Sequence, residues 1–251
     1  MLITAIIPTY NEAENLPKLV SALISLPLPD LRILVVDDNS PDETGQVAES
    51  LAAAHRGRIE VLHRPGKLGY GTAYVSGFRR AIESGAEAIL QMDADLSHSP
   101  DELSKMQAAL ESCDVVIGSR YVAGGRLDER WPFWRSGLSA FGNAYARTIL
   151  GLPLRDCTSG FRLWRREALL GLPLERVRSN GYVFLVETAY LAHRLGYRFR
   201  EVPIYFAERQ HGQSKMRLNL QLEAAVRVWQ VRWAHRKLTG QLAKSEDGFV
   251  A

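Results

Sequence analysis

The sequence is short of cysteine: its 251 residues include only Cys113 and Cys157. Two thiols in a chain this long exclude a disulfide scaffold and fit a reducing compartment. Long hydrophobic runs are missing too. No apolar stretch reaches the roughly 18 residues of a membrane-spanning helix. Residues 1–10 show neither the basic n-region nor the long apolar h-region of a signal peptide. The expectation is that any membrane contact is peripheral. Charge of one sign is scarce, since the formal net charge is +3, too little to name a partner. There is no internal repeat and no low-complexity tract. His63, His98, His193, His211 and His235 are scattered without the spacing of a metal site, and no nucleophile elbow is present.

What is present is an ordinary globular composition, 46% hydrophobic and 24% charged, which excludes disorder, collagen-like repeats and coiled coil. The length suits one large domain, with or without an appendage, and allows a sizeable core without staples. Charge is unevenly spread. Residues 194–237 carry ten Lys/Arg against three Glu, so this segment is basic and the rest of the chain is net negative. A basic end attracts phosphate, anionic lipid or nucleic acid.

Strand and helix patterns alternate through the first half. Apolar runs at residues 2–8, 31–36, 59–62, 88–92 and 114–118 read as strands. Residues 12–26, with Leu16, Leu19, Val20 and Leu23 on one face, read as a helix, as do 73–84 and segments opening at Pro41 and Pro100. This predicts an α/β fold, a mostly parallel sheet with helices on both faces. In the second half, 121–135 reads as a loop, and 136–150, 186–195 and 218–238 as helices. Residues 157–164 read as strand or loop, 199–206 as a strand that Pro203 assigns to an edge, and 239–251 as a frayed tail.

In open parallel sheets, ligands bind beyond the carboxyl ends of the strands. Three polar clusters directly follow predicted strands: residues 8–12, residues 37–40 and Asp93-Ala94-Asp95. They therefore fall on one rim. Two carboxylates around one small residue suit a hard divalent cation, which adds substrate phosphate oxygens and water; capping is the plainer role. Asp37 and Asp38 suit hydrogen bonds from a ribose or base, with Ser40 as the cap of the next helix. The glycine-rich residues 66–71 read as a flexible turn, with phosphate binding as the rival. Arg120, Arg126, Arg130 and Arg135 interleave with Trp131, Phe133 and Trp134. That mixture suits a phosphate beside an apolar chain or bilayer, or a single-stranded nucleic acid. The 218–238 helix sets Leu218, Leu222, Ala225, Trp229 and Trp233 in one stripe, widened by Ala224, Val228 and Val231. With Arg227, Arg232, Arg236 and Lys237, it reads as an interfacial membrane helix, or as one packed on the domain.

Together these motifs resemble family 2 glycosyltransferases of the GT-A fold, and among them the polyprenol (dolichyl) phosphate mannose synthases. The segments that carry the resemblance are residues 7–12, 36–42, 67–74, 92–98, 118–121 and 156–162, followed by Arg209, Gly212, Ser214, Lys215 and Met216. The resemblance implies a Rossmann-like GT-A catalytic domain over 1–217, an amphipathic, membrane-associating helix over 218–238 and a flexible tail over 239–251. It implies inverting transfer of mannose from GDP-mannose to polyprenyl (dolichyl) phosphate. Pro8, Tyr10, Glu12, Val36 and Asp38 would hold the nucleoside. Asp93 and Asp95 would bind Mg²⁺ or Mn²⁺ against the diphosphate, with Ala94 beside the nucleotide. The third metal contact falls at Ser97, where relatives often have Gln. Arg209 and Lys215 would close over the diphosphate, and Arg120, Arg135 and Ser139 would bind the acceptor phosphate. The acceptor is already ionised, so no strong general base is needed. Catalysis then falls to Asp93, Asp95, Arg120 and Arg135. The implied setting is the cytoplasmic face of a membrane, with Trp131, Trp134, Trp229 and Trp233 toward the bilayer. A membrane-embedded subunit is a further partner to consider, and nucleic acid is not expected.

Rival readings differ in class. One is sugar transfer from a UDP-sugar to the same acceptor. Another is transfer to a hydroxyl, with Asp156 or Glu187 as the base. A third is a non-catalytic nucleotide-binding regulatory domain, and a fourth is a nucleic-acid binder using the basic end. The intact Asp93/Asp95 pair with Arg209 and Lys215 favours an enzyme.

Overall fold

The computed structural model describes residues 1–208 and 218–238, without the side chains of 218–222. Its strands, in chain order, are β1 (Ile3–Thr9), β2 (Leu31–Asp37), β3 (Ile59–His63), β4 (Ala88–Gln91), β5 (Val115–Ser119), β6 (Arg126–Leu127), β7 (Arg162–Arg165), β8 (Phe199–Pro203) and β9 (Tyr205–Phe206). The α-helices are α1 (Leu16–Ile24), α2 (Thr44–Ala54), α3 (Tyr70–Glu83), α4 (Leu103–Leu110), α5 (Phe133–Leu150), α6 (Arg166–Gly171), α7 (Tyr182–Arg194) and α8 (Leu218–His235).

Seven strands form one sheet of order β3-β2-β1-β4-β7-β5-β8, and β6 pairs with β9. Within the large sheet only β7 runs antiparallel to its neighbours. β1 and β2 are buried on both faces, which is why they read as continuous apolar runs. One core layer joins Ile6, Val36, Tyr74, Phe78, Trp164 and Phe184 beneath α3 and α7. The other joins Ile7, Val35, Leu16, Leu19, Leu23 and Met106 beneath α1 and α4. The alternating pattern thus yields the expected doubly covered sheet, with β8 at its edge.

Strand register decides which loops share a rim. Thr9 pairs with Asp37, and Ile6 with Gln91, so β1, β2 and β4 end on one rim. β5 runs parallel to β8 and leads into Arg120 on that same rim, while antiparallel β7 brings residues 156–161 to it.

Several boundaries differ from expectation, each for a local reason. α1 begins at Leu16 rather than residue 12, because Asn11 takes a left-handed φ of 62° and the Glu12 carbonyl accepts from Asn15 and Leu16. α5 begins at Phe133, inside the expected loop: Pro132 stands at its N-cap and its carbonyl accepts from Arg135 and Ser136. Arg135 is therefore a first-turn helix residue. α8 packs against α5 and α7, and the expected stripe splits. Val228 and Val231 face inward, while Trp229 and Trp233 are 48% and 65% exposed. The expected tail at 239–251 lies outside the described residues. Among the described residues, no helix is long and apolar enough to cross a membrane.

Candidate active site

The first wall of the rim is built from β1, β2 and the glycine turn before α3. Asp37 is spent on structure. It accepts from Thr9 Oγ1 at 3.1 Å, and from the amide and hydroxyl of Ser40 at 3.1 and 2.5 Å. Ser40 thus does not cap α2. Asp42 does that work, accepting from the Thr44 amide and hydroxyl, while Glu43 takes a left-handed φ of 67°. Asp38 turns the other way. Arg64 Nη1 donates to it at 2.6 Å, and both side chains are buried. The Gly69 amide donates to its other oxygen at 3.3 Å. Gly69 has φ 106°, a conformation glycine adopts without steric cost. The turn is therefore fastened to the rim rather than loose. Lys67 Nζ sits 3.6 Å from the Tyr10 ring centre, a cation–π contact. Pro8 and Glu12 are half-buried on the rim. Val36 is wholly buried in the core, so its side chain supports the rim rather than facing it.

The acidic loop follows β4. Tyr70 and Tyr74 both donate their hydroxyls to Asp93 Oδ1, at 2.9 and 3.1 Å. Burial first, then the Asp93 charge at Tyr70 and the neighbouring Tyr70 and Asp93 at Tyr74, push both phenols well above the ordinary tyrosine range, so they stay protonated donors. Ala94 is buried, and Asp95 is buried with Oδ1 accepting from the Ser97 amide at 3.1 Å. Ser97 is 1% exposed, and its hydroxyl has no hydrogen-bond partner among the described residues. Two carboxylates and an unsatisfied hydroxyl form an all-oxygen donor set that fits a hard divalent cation. Among the described residues no group of three or more His, Cys, Asp or Glu gathers for a metal, so other positions would fall to substrate oxygens and water.

The third wall carries the arginines. Arg120 donates to Asp156 through Nε (2.7 Å) and Nη2 (2.8 Å), and to Thr158 Oγ1 at 2.7 Å. Burial alone would lower the arginine's pKa and raise the carboxyl's, but the ion pair outweighs it on both sides. Arg120 is held above, and Asp156 below, its ordinary value. Asp156 is therefore engaged as the partner of Arg120. Glu187 is buried on α7 and bonded to His235 Nε2 at 2.8 Å. Arg135 Nη1 donates to both oxygens of Glu208, at 2.8 and 2.9 Å, and its guanidinium lies 3.7 Å from the Trp131 ring centre. Ser139 accepts from the Tyr121 hydroxyl at 2.9 Å. Phe206 joins the walls. Its ring centre lies 5.0 Å from His98, 5.7 Å from Trp131 and 5.3 Å from the Arg120 guanidinium.

The structure thus gathers Asp93, Asp95, Ser97, Arg120, Arg135 and Ser139 around one rim. Arg209 and Lys215 lie outside the described residues. Trp131 does not face outward as expected, since it is packed between Phe206 and Arg135; the outward residues here are Phe133, 89% exposed, and Trp134, 57%. Sequence reasoning assigned no role to Arg64, Tyr70, Tyr74, Phe206 or Glu208. The two tyrosines stood inside a matched segment, but nothing in their spacing said where their hydroxyls point.

The family model of glycosyl transferase family 2 matches residues 4–171. The chain belongs to glycosyltransferase family 2. It is 44% identical over 230 residues to a polyprenol monophosphomannose synthase of Mycolicibacterium smegmatis, covering 90% of this chain and 86% of that protein. It is also 44% identical over 233 residues to an undecaprenyl-phosphate mannosyltransferase of Micrococcus luteus, covering 93% and 94%. Among solved structures, glucosyl-3-phosphoglycerate synthase of Mycobacterium tuberculosis, in complex with Mn²⁺, UDP and phosphoglyceric acid, superposes with a TM-score of 0.65 at 18% identity, over 95% of this chain and 80% of that one. A mannosyltransferase of Pyrobaculum calidifontis, in complex with GDP-Man and Mn²⁺, gives 0.58 at 18% identity, over 100% and 76%. The two structures bear on the fold, which is the GT-A fold of this family.

Proposed function

We propose that this family 2 enzyme transfers mannose from GDP-mannose to a polyprenyl phosphate at the cytoplasmic face of a membrane, with inversion at the sugar carbon. Two relatives at 44% identity bear names of mannose transfer to a polyprenyl phosphate, which supports the acceptor and the sugar. The observation that carries the reading is the Phe206 junction, where His98, three residues after Asp95, meets the same ring as Arg120 and the Trp131–Arg135 pair. A donor diphosphate at the acidic loop and an acceptor phosphate at the arginines would meet across one short gap. Pro8, Tyr10, Glu12, Asp38 and Ala94 border the nucleoside, with Arg64 fixing Asp38. Asp93, Asp95 and Ser97 would hold Mg²⁺ or Mn²⁺, which when bound offsets the charge of the leaving diphosphate. Arg209 and Lys215 are assigned to the same diphosphate.

Arg120 and Arg135, with Ser139, hold the acceptor phosphate and offset its repulsion from the donor. An ionised phosphate oxygen supplies the electron pair of the new bond to the sugar carbon, and the bond to GDP breaks with its pair leaving on GDP. No proton moves, which agrees with the engagement of Asp156 and Glu187 elsewhere. The test is sugar transfer to a short polyprenyl phosphate in detergent, comparing GDP-mannose, UDP-glucose and UDP-N-acetylglucosamine with and without Mg²⁺ or Mn²⁺. Metal-dependent transfer from GDP-mannose, abolished by Asp95→Ala, is expected. Preference for a UDP-sugar would overturn the donor, and binding without turnover would favour a regulatory domain.

A further inference from the structure

The segment at residues 67–74 has no role in the proposed transfer beyond the glycine turn. Its two tyrosines are one helical turn apart on α3, and both hydroxyls end on a single atom, Asp93 Oδ1. Packing alone does not call for hydroxyls here. Tyr74 is wholly buried, stacked at 6° on Phe184 with ring centres 5.9 Å apart. Tyr70 meets Tyr74 edge-on at 4.9 Å and Phe184 at 6.2 Å. Phenylalanine would serve this cluster equally well, and a buried phenol is retained where its hydroxyl has a partner to hold. Gly160 lies close against both the carboxylate and the Tyr70 hydroxyl. A Cβ there would lie 3.1 Å from Asp93 Oδ2 and 3.1 Å from the Tyr70 hydroxyl. Two phenol donors thus grip one oxygen of the carboxylate, and a residue without a side chain lies against its other oxygen and the Tyr70 hydroxyl.

We propose that Tyr70 and Tyr74 are positioning residues for the metal ligand Asp93: they hold Oδ1 and so fix the rotation of the carboxylate that would ligate the cation, with Gly160 leaving room for that arrangement. The inference rests on the reading of Asp93 and Asp95 as the metal site. Groups that orient a ligating carboxylate from behind set metal affinity without touching the metal.

The test is Mn²⁺ binding to the full chain with GDP present, followed by the EPR signal of free Mn²⁺, for Tyr70→Phe, Tyr74→Phe, the double variant, Gly160→Ala and Asp93→Asn. The double variant is expected to raise the Mn²⁺ Kd by about tenfold or more, and each single variant by less. At saturating Mn²⁺ the KM for GDP-mannose should stay near that of the native chain. Gly160→Ala should weaken Mn²⁺ in the same sense. Tyr70→Phe, at the less buried ring, carries the test if the double variant does not fold. If Asp93→Asn weakens Mn²⁺ while every folded tyrosine variant stays within twofold of native, the inference is overturned and the metal site stands. If Asp93→Asn leaves Mn²⁺ binding unchanged, the metal reading itself falls and takes this inference with it.

Discussion

A buried charge survives only with partners, and the arginines of this site meet that demand in three ways. Arg162, wholly buried, donates to the carbonyls of Ser159, Leu185 and Cys157 and to the Thr188 hydroxyl. Burial pulls its pKa down to about 10, and its bonds tie residues 157–160 to α7. Arg120 has a wholly buried carboxylate, Asp156, as a fixed partner. Arg135 is different, because its partner Glu208 is part-exposed and close to the rim. The Glu208 amide donates to Asp128 Oδ2 at 2.8 Å, which holds that residue in place. If Arg135 binds the acceptor phosphate, Glu208 competes for the same guanidinium. Glu208→Gln is then expected to lower the acceptor KM by roughly two- to fivefold, the scale of a part-exposed ion pair, with the donor KM unchanged. Steady-state kinetics over both substrates checks this, and a higher acceptor KM would make Glu208 a supporting residue instead of a competitor.

At the scale of elements, α8 is joined to the site through α7. His235 Nε2 meets Glu187 Oε1, and Glu187 Oε2 accepts from the amides of Arg178 and Ser179 at 3.1 and 2.8 Å. The next residue, Asn180, accepts from the Gly71 amide at 3.2 Å, which reaches the glycine turn. Burial alone would raise the Glu187 carboxyl, but the bonds from His235 and Ser179 outweigh it and hold it below its ordinary 4.5. Between the folded and unfolded values the unfolded chain binds more protons. The network's stability is therefore complete above about pH 4.5 and lost as pH falls through the lower folded value. Glu187→Ala should cost about 3–5 kcal/mol and lower Tm by roughly 10 °C at pH 7. The gap from the native chain should narrow as pH falls below about 4.5 and through the lower folded value, as calorimetry across pH would register. The same elements show what the sequence made legible. Apolar runs located β1, β2, β4 and β5, because burial on both faces leaves a continuous signal, whereas β7, Arg162–Arg165, read only as strand or loop. The two faces of α8 were not told apart, because its apolar residues nearly encircle the helix, and contact with α5 and α7 decides which turn inward. Asp38 and Asp93 were legible as rim acids from their place after strands. Their partners Arg64 and Tyr74 were not, since those contacts span 26 and 19 residues.

Taken whole, the molecule has an apolar edge as well as a polar rim. Phe133 is 89% exposed on the first turn of α5, Phe141 67% exposed further along, and Trp229 and Trp233 stand out from α8. The two helices are pinned together by Tyr145, which donates to the Ala225 carbonyl and accepts from Trp229 Nε1. Exposed aromatics on adjoining helices exceed what a solvated surface retains, and basic residues on α8 add attraction to anionic headgroups. Phe133 stands two residues before Arg135, so under the proposed function the bilayer would lie beside the acceptor phosphate. That arrangement separates two tasks that ordinary kinetics merges, reaching the membrane and transferring the sugar. Phe133→Ser combined with Trp233→Ser should leave turnover of a short, detergent-dispersed polyprenyl phosphate near native, because neither residue contacts the rim cluster. On a long-chain acceptor embedded in vesicles the same variant should lose about tenfold or more, since two buried aromatic side chains contribute a few kcal/mol to surface binding. Vesicle co-sedimentation should fall in parallel. Equal loss on both acceptors would place these residues in the fold or the site, and no loss on vesicles would move the membrane-facing surface elsewhere.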